Sequence, residues 1–231
     1  MYLRTPLYID FRGKNVLIIG GGGVGTSRAK KFKKSGANVR VLSLDFSEEL
    51  KNLEVEPVKG DARDLNLLEK HIKWCDLVTV AIPDVSVNDA VIRLARKHKA
   101  LVNLANDAER TEVVVPFEGE IEGIKFAVTT EGKSGIVARL VRDRIAEMLE
   151  NDEETLNLLK AMDFLKRHMK ENDIPIAVRM KMYFAVSCDE VFRRLIKENN
   201  VDDAKKYAIR FVEEYMSGRR KIGDDIVKIN F

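Results

Sequence analysis

Continuous apolar runs and helical periodicity alternate along the first hundred residues. After Asn15 the chain reads Val16, Leu17, Ile18, Ile19, an uninterrupted apolar run that predicts a strand buried on both faces. It stops in Gly20, Gly21, Gly22 and Gly23. Beyond these, Val24, Ala29 and Phe32 recur at helical spacing while Lys30, Lys31, Lys33 and Lys34 point elsewhere, and Gly36 supplies the stop. A second strand is expected over residues 39–44 and a third over 55–58, where Pro57 belongs at an edge or a strand end. The pattern then predicts a helix over 65–72, a strand over 77–82, a helix over 87–98 with Val91, Ile92, Leu94 and Ala95 inward, and a strand over 100–105. Strands alternating with helices imply right-handed crossovers and a parallel sheet.

After Asp107 the rhythm changes. Residues 113–115 and 124–129 read as strands joined by a Gly-containing turn, a small appended sheet. Residues 134–149 carry Ile136, Val137, Leu140, Val141, Ile145 and Met148 at helical spacing. An acidic cluster, Asp152, Glu153 and Glu154, then opens a stretch that keeps a helical pattern to about Met216, with a short tail over 217–231. The predicted architecture is therefore α/β: a Rossmann-like parallel-sheet domain over 1–113, a small α+β segment over 114–150, and a helical C-terminal domain over 151–231.

Composition narrows the class. Of 231 residues, 45% are hydrophobic and 33% charged, with 40 Lys and Arg against 37 Asp and Glu. A net charge of +3 lacks the large basic excess of a dedicated nucleic-acid binder. Cys75 and Cys188 stand far apart without a C-x-x-C or Cys/His spacing, which argues against a disulfide framework or a structural zinc site. The three histidines, His71, His98 and His168, fall in different predicted helices without ligand spacing, so no metal ligands are assigned. With neither a signal-peptide pattern nor a span of about 18 apolar residues, a cytoplasmic location and no membrane partner are expected.

Gly20-x-Gly22-x-x-Gly25 follows a predicted strand and opens a predicted helix, the context in which G-x-G-x-x-G signals a dinucleotide. Gly20 permits the tight turn, Gly22 the approach of a pyrophosphate, and Gly25 the close packing of helix on sheet. Together with Gly23 and Val24 they place backbone N–H groups and the positive end of the helix dipole at the phosphates. An acidic side chain ending the second strand selects NAD over NADP. Asp45 lies 20 positions after Gly25, and Ser43 offers a hydroxyl. Asp45 has a second reading, a cap for a helix starting near Ser47.

Two further polar groups gather at predicted strand ends. Asn103, Asn106 and Asp107 end one strand, while Asp84 and Asn88 follow the one before it, facing the crevice where open α/β sheets bind ligands. Each alone also reads as a cap or turn residue. Thr129-Thr130-Glu131-Gly132-Lys133-Ser134 runs from a strand through a polar turn into a helix, an arrangement that binds anions or simply caps the helix; Arg139 and Arg142 follow.

These elements, in this order, resemble the precorrin-2 dehydrogenase / sirohydrochlorin ferrochelatase family, the siroheme synthases. The likeness runs over residues 6–149 through a lead-in strand at Pro6-Leu7-Tyr8-Ile9, the loop Ile19-Gly20-Gly21-Gly22-Gly23-Val24-Gly25, Ala81-Ile82 through Asn88, Asn103-Leu104-Ala105-Asn106 with Pro116, and Thr129-Thr130-Glu131-Gly132-Lys133-Ser134-Gly135 through Ala138-Arg139. The last motif is the most specific. The resemblance implies NAD-dependent oxidation of precorrin-2 to sirohydrochlorin, in some members followed by insertion of ferrous iron, and a homodimer formed through residues 114–149. It implies cofactor contacts at Gly20, Gly22, Gly23, Val24, Gly25, Ser43, Asp45, Ala81 and Asn88, and substrate contacts at Asn103, Thr130, Lys133, Ser134 and Arg139, with Arg110 a further candidate for the substrate's eight carboxylates.

The chain departs from the family where an Asp is assigned acid/base work and Asn106 stands instead, followed by Asp107. Either Asp107 takes over that duty, or proton transfer is lost or reassigned. Two other classes stay open at this point. Gly60-Asp61-Ala62-Arg63-Asp64 also fits nucleotide-sensing regulatory domains of potassium transport systems, which do not share the stretch 103–139. Asn106 keeps open a non-catalytic tetrapyrrole carrier.

Overall fold

The computed structural model describes residues 4–223. Five strands form one parallel sheet: β1 (Asn15–Gly21), β2 (Asn38–Phe46), β3 (Glu56–Lys59), β4 (Leu77–Val80) and β5 (Leu101–Leu104). Their order is β3-β2-β1-β4-β5. The chain steps outward from β1 to β3, returns to the other side of β1, and steps outward again. The strand order therefore reverses between β1 and β4, and the carboxyl ends of those two strands bound the crevice that such a reversal creates.

The unbroken apolar run in β1 has its cause in two-sided burial. Val16 and Ile18 join Val39, Val41 and Leu77 on one face, under Ala29 and Phe32 of α1 (Gly23–Lys34). Leu17 and Ile19 join Leu42, Val78, Val80 and Leu104 on the other, against Leu68 and Ile72 of α3 (Leu65–Ile72) and Val91 and Ala95 of α4 (Asn88–His98). Burying each such side chain contributes about 1.5–3 kcal/mol, so an apolar alternation with polar residues would have forfeited half the core. The short α2 (Glu48–Lys51) begins at Ser47, whose hydroxyl accepts the Leu50 N–H. Pro57 sits in β3, the edge strand, where its missing N–H costs the sheet least.

Two strand expectations fail. Residues 113–115 form no strand: the Glu112 and Val113 amides both donate to the Val102 carbonyl and the Asn103 side chain bonds the Val113 carbonyl, which ties the segment irregularly to β5. Pro116 then removes a donor, and the strands that pair here are β6 (Phe117–Ile121) and β7 (Ile124–Val128). Glu122 and Gly123, at φ of 50° and 90°, make the tight turn between them. The lead-in segment 6–9 forms no strand, with Leu7 and Tyr8 exposed.

Contacts divide the chain into two compact units, residues 1–117 with 128–139, and 118–127 with 140–231. The second holds most of α5 (Gly135–Glu150), then α6 (Glu153–Glu171), α7 (Ile176–Ser187), α8 (Glu190–Lys197) and α9 (Val201–Met216). Its core is built from Leu165, Met169, Met182, Val186, Phe192 and Phe211, among others. Asp152 caps α6 through the Thr155 N–H, and Glu153 and Glu154 occupy the first turn, where the dipole favours them. Met182 belongs to this core, whereas Met180 is exposed. The predicted tail beyond residue 223 lies outside the described residues.

Candidate functional site

Each glycine of the loop has a separate steric reason. Gly20 sits at φ 114°, and a Cβ there would meet the Ala81 carbonyl oxygen at 2.8 Å and Ile82 Cγ2 at 2.7 Å. A Cβ on Gly25 would lie 1.9 Å from the Gly20 carbonyl oxygen, so only glycine lets α1 start this close to β1. Gly22 and Gly23 differ: a Cβ on either would meet nothing within 4 Å. Their backbone faces open space, and Gly22, the N-cap of α1, offers no side chain to the helix N-terminus; the first turn carries no acidic residue. The N-termini of α3, α6 and α8, by contrast, are capped by Asp64, Asp152 and Asp189. An uncapped helix start beside an open cradle fits the diphosphate of a dinucleotide, because the first N–H groups and the dipole favour negative charge there. Val24 on the first turn is exposed.

Next to the cradle lies a cavity of about 140 Å³ at the carboxyl ends of β1, β2 and β3. Ile19, Leu42, Ile82 and Val87 supply its apolar surface; Ser43, Asp61, Arg63 and Asp84 supply its polar surface. Ser43 Oγ accepts the Gly21 N–H at 2.9 Å, which fixes the strand end against the loop. Asp45 remains within β2 and is exposed, and its carbonyl is what a Cβ on Gly21 would strike. The helix that follows is capped by Ser47, which removes the capping alternative for Asp45, yet the Asp45 side chain is not among those lining the cavity. Ala81, partly buried, donates its N–H to the Ile19 carbonyl at 2.8 Å and carries the wall of the crevice opposite Gly20.

At the end of β5 the asparagines are interlocked. Asn106 Nδ2 donates to the Ile82 carbonyl at 2.8 Å, and Asn88 Nδ2, fully buried, donates to Asn106 Oδ1 at 3.1 Å. Asn103 is also buried and donates to the Val113 carbonyl. Asp107 bonds Arg110 Nε at 2.6 Å, and this guanidinium holds its carboxyl below the usual carboxylate range. Arg110 is shared with Asp89 at 2.6 Å, so two carboxylates already neutralise it. Asp107 is thus an ionised, ion-paired group, a weak proton acceptor near neutral pH.

The turn after β7 is tightly built. Glu131 and Gly132, at φ of 53° and 85°, place the Lys133 N–H on the Thr130 carbonyl at 3.1 Å. Thr130 Oγ1 accepts the Ser134 N–H and donates to its carbonyl, both at 2.9 Å, while Ser134 Oγ accepts the Val137 N–H in the first turn of α5. Lys133 and Arg139 are exposed. A residue that sequence reasoning missed holds this turn in place: Arg4 pairs with Glu131 and donates to the carbonyls of Ala108 and Thr111 at 2.9 and 2.7 Å. Nothing in a lone arginine near the amino end signals a partner 127 positions away. Each histidine has a partner of its own: Arg40 at His71, Glu69 at His98, Asn172 at His168.

A protein-family model described as "Putative NAD(P)-binding" matches residues 7–117. A protein of Methanocaldococcus jannaschii named "Putative precorrin-2 dehydrogenase" is 28% identical over 205 residues, 84% of this chain and 94% of that protein. The siroheme synthase of Actinobacillus succinogenes is 25% identical over 215 residues, 92% of this chain and 44% of the synthase. That of Nitrosococcus oceani is 30% identical over 144 residues, 62% of this chain and 31% of the synthase. The chain therefore spans less than half the length of these siroheme synthases. The solved structure named "SirC, precorrin-2 dehydrogenase" shares the fold, with a TM-score of 0.66 at 19% identity over 92% of this chain and all of that one. The chain is similar along most of its length to proteins named precorrin-2 dehydrogenase and siroheme synthase, and its residues 7–117 match the NAD(P)-binding model.

Proposed function

We propose that this protein is an oxidoreductase that converts precorrin-2 to sirohydrochlorin with NAD, in siroheme biosynthesis, acting as a homodimer. The observation that carries the reading is the open, uncapped cradle of Gly22 and Gly23 at the start of α1, set at the strand-order reversal in a chain that spans 94% of a relative named for this activity. A bound nicotinamide supplies the two-electron acceptor. The chain's own contribution is orientation and electrostatics. The α1 N-terminus holds the diphosphate, the cavity beside it takes the adenosine half, and the walls formed by Ala81 and the Asn88–Asn106 pair direct the other half along the crevice. Lys133 and Arg139, exposed at and just after the Thr130–Ser134 turn, meet carboxylates of the macrocycle. Arg110 is spent on Asp89 and Asp107, so the substrate role considered for it is set aside.

Oxidation at the macrocycle releases a proton as well as two electrons. Asn106 cannot accept it, and Asp107 accepts it only weakly, so the proton passes to solvent or to a substrate carboxylate. Insertion of ferrous iron, which needs two protons taken up, has no acceptor of ordinary basicity among Asn106 and Asp107, and the proposal covers the dehydrogenase step alone.

Purified protein mixed with precorrin-2 and NAD is expected to raise absorbance at the NADH band with formation of sirohydrochlorin. Binding of precorrin-2 without turnover by NAD or NADP would replace the enzyme reading with the carrier one.

A further inference from the structure

We propose that the ion-paired cluster Asp61–Arg63–Asp84, and not Asp45, sets the preference for NAD over NADP. The inference rests on the dinucleotide reading above and assigns the residues that select its cofactor. The charged side chains that line the cavity beside the cradle, Asp61, Arg63 and Asp84, all belong to this cluster. Arg63 reaches from the loop after β3 to Asp84, in the loop after β4, at 2.6 Å, with Asp61 at 3.7 Å. Both carboxylates are fixed by a second bond. Asp61 Oδ1 accepts the Arg63 N–H at 2.9 Å, and Asp84 Oδ1 accepts the Ser86 N–H at 2.9 Å, capping the 3₁₀ turn Val85–Val87. Those bonds hold the Asp84 carboxyl at about 2, so it is ionised at neutral pH.

The charge count decides the selectivity. Two carboxylates and one guanidinium leave the rim at −1. Ribose hydroxyls can donate to such a rim. The 2′-phosphate that distinguishes NADP carries nearly two negative charges at neutral pH, and Arg63, the cation lining this cavity among the described residues, is already engaged by Asp84. The apolar surface of Ile19, Leu42, Ile82 and Val87 matches a flat heteroaromatic ring, which brings the ribose of the same nucleoside to this rim. Asp45 does not line the cavity and is exposed near the end of β2.

Dissociation constants for NAD and NADP, measured by calorimetry on the full chain, test the assignment in wild type, Asp84→Asn, Arg63→Ala and Asp45→Asn. Asn is as good a cap as Asp, so Asp84→Asn keeps the turn while releasing Arg63. Wild type is expected to prefer NAD. Asp84→Asn, with a rim of zero charge, should narrow the NAD-to-NADP preference by about tenfold, the size of one unit charge near a dianion in a wet site. Arg63→Ala, with a rim of −2, should widen it by a similar factor. A preference that stays within about twofold of wild type in both variants, a narrowing produced by Asp45→Asn alone, or a wild type that favours NADP overturns the proposal while leaving dinucleotide binding intact. Absence of binding to either nucleotide by wild type would instead defeat the dinucleotide reading itself, and this inference with it.

Discussion

Asn106 makes a bond that the Asp of the family pattern makes only when protonated. Its amide donates to the Ile82 carbonyl while its carbonyl accepts from Asn88, so the residue uses both halves of an amide to tie the end of β5 to the loop after β4. A carboxylate there would face a carbonyl oxygen at hydrogen-bond distance, and keeping its proton is the way to avoid the repulsion. In Asn106→Asp the folded-state pKa is therefore raised above the ordinary value of about 3.9. The native state then binds more protons than the unfolded state, so stability falls as pH rises from about 4 through the raised pKa, and the loss is complete above it. We expect the variant to match wild type near pH 4 and to be less stable by about 1–3 kcal/mol at pH 7.5, read from thermal unfolding of both proteins across that range. A constant difference at all pH values would mean that position 106 does not hold a proton in the variant and that the contact to Ile82 is looser than the geometry indicates.

At the scale of the element, α1 separates binding from stability. Gly22 is its N-cap with φ −80° and ψ −168°, extended backbone that any residue adopts, and a Cβ there meets open space. An Asp at an N-cap is slightly better for the helix than Gly, by a few tenths of a kcal/mol, and its charge suits the dipole. The same carboxylate occupies the place of the diphosphate. Gly22→Asp should thus lose NAD affinity by at least a hundredfold while unfolding at the wild-type temperature or slightly above, with calorimetry and thermal melts run on one preparation. Undiminished affinity would remove the cradle from the phosphate site. The strand–loop–helix order around this cradle was legible because it depends on local causes: an apolar run buried on both faces, glycines where the backbones of β1 and α1 nearly touch, and helical spacing after them. What escaped depends on partners distant in sequence. Residues 113–115 are as apolar as a strand requires, yet Val102 and Asn103 bond them irregularly. Counting 20 positions from Gly25 reaches Asp45, whereas the cavity rim is assembled from residues 61–63 and 84, on two separate loops.

For the whole molecule, α5 poses a question of partnership. Ala138 is its buried residue, while Ile136, Val137, Leu140, Val141 and Met148 are exposed, Ile136 at 76%. A stripe of large apolar side chains left in water on a 16-residue helix marks an interaction surface more than a chance of composition. A second copy of this chain is the occupant that the homodimer proposal requires. Two carboxylates in the stripe should separate copies without unfolding the chain, since Ile136 is in the first turn of α5, where negative charge is favoured by the dipole, and Leu140 is already about half exposed. Wild type is expected to sediment at twice the mass of one chain at micromolar concentration, and Ile136→Asp with Leu140→Asp at the mass of one, with the helical circular dichroism signal and NAD affinity of the wild type retained. Turnover of precorrin-2 should fall with dimer content if the exposed Lys133 and Arg139, on either side of the stripe's first residues, meet the substrate within an assembled pair. A wild type that sediments as a single chain across that range would overturn the homodimer, and turnover unchanged in the monomeric variant would place the whole reaction within one copy.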